Sequence, residues 1–91
     1  MEFEWDPDKA RRNEKKHGVS FHEALEVFND DLSSSDPDPD PDHSENESRY
    51  LVFGQSAVHR HIVVSYTERA ERIRLISARE MTPRERKAYE Q

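Results

Sequence analysis

RYLVFGQSAVHRHIVVSYTERAERIRLISAR, Arg49 to Arg79, holds three runs rich in β-branched and aromatic residues, RYLVFGQS, HRHIVVSYT and ERIRLISAR. The short separations, Gly54–Val58 and Glu68–Glu71, predict antiparallel hairpins, because strands joined by so few residues pair with each other. The third run carries arginines at 72, 74 and 79, with Arg69 in the turn before it. Strict alternation sends Ile73, Leu75 and Ser77 to one face, and Arg72, Arg74, Ile76 and Ala78 to the other. Arg79 then falls opposite Arg72 and Arg74, so gathering these arginines requires a β-bulge or a strand end at which Arg79 swings round the rim. Converged guanidiniums grip phosphate oxygens in pairs and stabilise charge growing at phosphorus. The competing reading is a solvated face paired with Glu68, Glu71 and Glu80.

Working outward, FEW (Phe3–Trp5) reads as a short strand, followed by a helix that Asp6 caps, Pro7 opens and Gly18 ends. Ser20 and Glu23 have capping-box spacing, and Phe21, Ala24, Leu25 and Phe28 form one apolar stripe of a second helix. Thr82, Pro83 and Glu85 start a terminal helix by the same grammar. Between the second helix and the hairpins, Asn29–Ser48 holds eight acidic residues and no lysine or arginine, with prolines at 37, 39 and 41. Aspartates that repel one another, each held extended by the proline after it, predict a mobile acidic loop over about 33–48, with a further short strand near 31–35. The expected fold is α+β, with element order β-α-α-β-β-β-α and helices packed on one face of an antiparallel sheet.

The 91 residues suit a single domain. Only 32% are hydrophobic and 37% are charged, so the core is small and a stabilising partner chain is expected. The absence of cysteine excludes disulfides and thiolate metal sites and agrees with the cytoplasm. MEFEWDPDK lacks the pattern of an export signal, and no apolar run has the length of a membrane helix. The net charge of −6 conceals an uneven distribution: Arg49–Arg79 contains six arginines against two glutamates, and screening over about 8–10 Å leaves that region free to bind an anion.

Three further groups invite chemistry. His17 ends the first helix in EKKHG; histidine as a residue type suits proton transfer, although a cation there is also favoured by the helix dipole. Glu68, beside Arg69, has the chemistry of a general base and equally that of a solvated turn residue. HRH, His59 and His61, would place two imidazoles on one strand face, too few for a metal site. Asp36, Asp38, Asp40, Ser44 and Glu47 match a calcium-loop spacing, but Pro41 stands where that turn needs glycine. No metal or cofactor is expected. DNA binding by this chain alone is disfavoured, since no helix presents a clear basic face in the sequence and the acidic tract opposes DNA.

FEWDPDKARRNEKKHGVSF, together with IRLISAR before TPRERKAYE, resembles the BrnT-type toxins, ribonucleases of type II toxin-antitoxin pairs with a RelE-like fold. The likeness spans nearly the whole chain and departs from the pattern in the long SSSDPDPDP tract and at Ser48. It implies a cytoplasmic endoribonuclease that arrests translation. It also implies a ribbon-helix-helix antitoxin that neutralises it, a 2:2 complex, and operator DNA bound only through the antitoxin. RNA supplies its own nucleophile, the 2′-hydroxyl, so a metal-free site needs only orientation, proton transfer and charge neutralisation. On that basis Arg69 and Arg79 hold the phosphate, Glu68 or His17 moves the proton, and Lys16, Arg72 and Arg74 contact the substrate backbone. The alternative is a catalytically inactive module whose basic face binds the antitoxin.

Overall fold

The computed structural model describes residues 2–38 and 49–90. Its elements are β1 (Glu2–Glu4), α1 (Pro7–His17), α2 (Phe21–Val27), β2 (Ser34–Pro37), β3 (Arg49–Gln55), β4 (His61–Arg69), β5 (Arg72–Glu80) and α3 (Pro83–Tyr89). One five-stranded sheet has the order β1-β5-β4-β3-β2.

Each helix starts where its local chemistry dictates. The Asp6 side chain accepts from the Asp8 amide, Ser20 from the Glu23 amide, and Thr82 and Glu85 form a reciprocal capping box. Gly18 closes α1 at φ 71°, the left-handed conformation that costs glycine least.

Phe21, Ala24 and Val27 of α2 pack on Val52, Ile62, Val64, Tyr66, Ile73, Leu75 and Ala78 of the sheet, with Val19 beneath the α1–α2 turn. Gly54 lies under this helix, where a Cβ would stand 2.9 Å from Val27 Cγ1, so close packing of α2 requires the bare backbone. Phe3, Trp5 and Phe28 pack against the same core from its edge.

Three features differ from the sequence expectation. β1 pairs with β5 in parallel, Phe3 opposite Ile73, so the sheet is mixed; the strand is three residues long, and half-buried Phe3 anchors it on the core. The proposed strand near 31–35 is Ser34–Pro37, antiparallel to β3 on the sheet edge, where Pro37 has no inward ladder bond to forfeit. The remainder of the expected acidic loop, 39–48, lies outside the described residues. Third, α1 and α2 lie on one face, but α3 is tied to the other, through Arg79 and His61. Those residues occupy the alternate positions to the buried Ala78 and Ile62.

The β4–β5 ladder contains the bulge that gathering the arginines requires. Ser65 pairs with Ser77 and Tyr66 with Leu75, leaving Ile76 as the extra residue. Beyond it the alternation inverts: Ala78 enters the core with no exposed surface, and Arg79 turns to the face that carries Arg72 and Arg74. A small apolar residue fills the buried position and a guanidinium that could not be buried unpaired is kept outside.

Candidate active site

α1 is polar nearly all round, and its phase is set by its least charged positions. Ala10 and His17 are half-buried and Asn13 is buried, while the other residues of the helix are exposed. Asn13 substitutes for a missing strand neighbour. β1 ends opposite Arg74, and past that point the Asn13 amide pairs with the β5 edge, donating from Nδ2 to the Ala78 carbonyl at 2.9 Å and accepting the Ala78 amide on Oδ1 at 3.1 Å. Nδ2 also donates to the Val19 carbonyl at 3.0 Å. One side chain thus fixes the helix, the bulged strand and the turn into α2. Sequence reasoning missed it; the signal available was the phase of Ala10, Asn13 and His17, three and four residues apart in an otherwise charged helix.

Beside this clamp lies a cleft of ≈ 360 Å³ lined by Lys9, Arg12, Asn13, Lys16, His17, Ile76 and Ser77. No carboxylate lines it. The bulge creates its far wall by presenting Ile76 and Ser77 at the strand edge. Lys16 and His17, both expected from the sequence, meet here. Arg79 stands two residues past Ser77 on the same strand, about 7 Å along the backbone.

The other expected residues lie elsewhere. Arg69 pairs directly with Arg72, six ladder steps from Arg79, or about 20 Å. Arg69 and Arg79 therefore share a face of the sheet without sharing a phosphate-sized space, a correction to their expected convergence, because the bulge restores the facing but not the distance. Glu68 alternates to the opposite side of the sheet from Arg69. Arg72 contacts Glu2 at 3.1 Å and Glu4 at 3.5 Å, and Arg74 binds Glu4 at 2.8 Å; β1 supplies both carboxylates because its register sets Glu2 and Glu4 beside those arginines. The Arg74 hydrogen bond, outweighing partial burial, holds the Glu4 carboxyl below its usual range. His59 sits in a turn at φ 67° rather than on the strand, while His61 stacks edge-on with Tyr89 and bonds Gln55, so the HRH pair is separated. Among the described residues no three histidine or carboxylate groups come together as a metal site.

Arg79 is held by Glu85 of α3 in a two-pronged pair, 2.8 and 2.9 Å. The Arg79 hydrogen bonds, with help from Thr82, lower the Glu85 carboxyl to about 2. A depressed carboxylate stabilises the fold above its unfolded pKa and loses that contribution as pH falls toward its folded value. The stability difference between the native chain and Glu85→Gln is therefore expected to be constant at neutral pH and to shrink between about pH 4.5 and 2, read from thermal midpoints across that range. The difference is modest in size, since Arg79 is 38% exposed and solvent screens the pair. Tyr89 completes the attachment of α3 by donating to Asp30, which also accepts the Gln55 and Leu32 amides.

Residues 5–85 match the family described as ribonuclease toxin, BrnT, of type II toxin-antitoxin system. The chain belongs to the BrnT family. The crystal structure of the Brucella abortus ribonuclease toxin BrnT superposes with a TM-score of 0.65 over 90% of this chain and 97% of that one, at 22% sequence identity, which establishes a common fold. No curated protein matches the sequence. Family membership makes this chain a toxin of the ribonuclease type with an antitoxin partner. No helix among the described residues is long and apolar enough to cross a membrane.

Proposed function

We propose that this toxin is a metal-independent endoribonuclease whose reaction centre is the α1–β5 cleft. The observation carrying the proposal is that Lys16 and His17 line a carboxylate-free cleft against the β5 bulge, with Arg79 next along that strand. The 2′-oxygen attacks phosphorus, the bond to the 5′-oxygen breaks, and the products are a 2′,3′-cyclic phosphate and a 5′-hydroxyl. His17 is the proton-transfer group, being the one imidazole lining the cleft and so the one side chain there suited to both take and give a proton. Lys16 neutralises the phosphorane, and Arg79 joins it when an incoming phosphate displaces Glu85. Arg72 and Arg74, paired with Glu2 and Glu4 at the far end of the sheet, stand apart from this centre and would reach a substrate phosphate only by exchanging those carboxylates.

Cleavage of cellular RNA in the cytoplasm arrests translation, and a ribbon-helix-helix antitoxin in a 2:2 complex covers the toxin and carries it to operator DNA. Purified toxin incubated with RNA in excess chelator is expected to generate 2′,3′-cyclic phosphate ends. RNA left intact under those conditions, by toxin that still binds its antitoxin, would support instead an inactive antitoxin-binding module.

A further inference from the structure

The cleft continues beyond the reaction centre along α1. Lys9, Arg12 and Lys16 recur at intervals of three and four residues, forming a stripe directly beside the buried stripe of Ala10, Asn13 and His17. The sequence reading found no helix with a clear basic face; this stripe is one, legible only once Asn13 fixes which side of α1 meets the sheet.

Among the described residues, none of the three cations has an ion-pair partner, whereas Arg72, Arg74 and Arg79 are each held by a glutamate. The neighbouring Arg11 takes Asp8, the nearest acid of the helix. Like charges at these spacings oppose helix formation. An anionic ligand spanning the stripe removes the repulsion. From Lys9 to Lys16 the helix rises about 10 Å, the length of about three stacked nucleotide steps.

Building on the assignment of cleavage to the cleft, we propose that Lys9 and Arg12 are a phosphate track for single-stranded RNA, engaging the backbone two to three phosphates from the bond cut beside His17. The track reads no bases. It favours RNA long enough to reach from His17 to Lys9 and fixes the direction in which the strand leaves the cleft.

The test uses a single-stranded octamer with 2′-O-methyl groups, which binds without being cut, and the variant Lys9→Gln/Arg12→Gln. Binding is expected to weaken about tenfold at low salt, and the slope of log affinity against log salt to fall by about 1.4, the contribution of two phosphate contacts to a single strand. The charge-preserving variant Lys9→Arg/Arg12→Lys is expected to keep both values, and unchanged melting midpoints verify folding. If the double variant melts early, Lys9→Gln alone is expected to reduce the slope by about 0.7. Unchanged affinity and slope in a toxin that still cleaves RNA overturn the track while leaving the cleavage assignment intact. RNA binding preserved while antitoxin binding is lost overturns it in favour of a protein interface. A native toxin that neither binds nor cuts RNA defeats the underlying assignment instead.

Discussion

Replacing Asn13 by alanine is expected to cost about 3–4 kcal/mol, read as a lowered urea midpoint at unchanged slope. The substitution strands the Ala78 amide and the Ala78 and Val19 carbonyls, all of which the Asn13 side chain satisfies at 2.9–3.1 Å in a buried position. An unsatisfied buried polar group costs about 1–3 kcal/mol, and partial access of water through the cleft reduces the sum. A chain of this length has a total stability of roughly 5–14 kcal/mol, so the loss is a large share of it. Asn13→Asp is expected to fare no better, because a carboxylate accepts from Ala78 but cannot donate to either carbonyl and brings an unpaired charge inside. A cost below 1 kcal/mol for Asn13→Ala would mean that α1 is held by something other than this clamp.

The largest effect on activity is expected at His17. Removing a positioned proton-transfer group lowers rates by about 10²–10⁴-fold. His17→Ala should therefore reduce RNA cleavage to that extent, while changing stability by at most the roughly 0.3–1 kcal/mol that a cation at a helix C-terminus supplies. Single-turnover cleavage and a urea melt on the same preparation separate the two. Loss of cleavage by less than threefold would remove His17 from the chemistry, and equal loss through unfolding would make it a structural cap.

These two residues illustrate which parts of the molecule can be read without coordinates. The caps at Asp6, Ser20 and Thr82 were legible because a cap is a local bargain between a side chain and amides two or three residues away. The bulge was half legible: apolar residues at 73, 75 and 78 are spaced two and then three, and only an extra residue keeps all of them in the core. The parallel pairing of β1 was not, since three residues joined to the sheet through two helices carry no turn that fixes direction. Nor was Asn13, because an amide within a charged helix reads as surface until the edge of β5 is known to be unpaired past Arg74. Pairing of the strand arginines was hidden for the same reason: Glu2 and Glu4 are distant in sequence and become partners only through the β1 register. The cleft escaped the sequence because its lining comes from two elements about 60 residues apart, brought together by the Asn13–Ala78 contact.

Where RNA sits decides between the α1–β5 cleft and the arginine-rich hairpin end as the centre of the reaction. Backbone and imidazole NMR shifts of the toxin, titrated with a non-cleavable 2′-O-methyl RNA, locate it directly. The account predicts the largest changes at Lys16, His17, Ile76 and Ser77, with smaller ones at Glu85 as Arg79 is drawn away. Changes confined to Arg69, Arg72 and Arg74, with His17 silent, would contradict it.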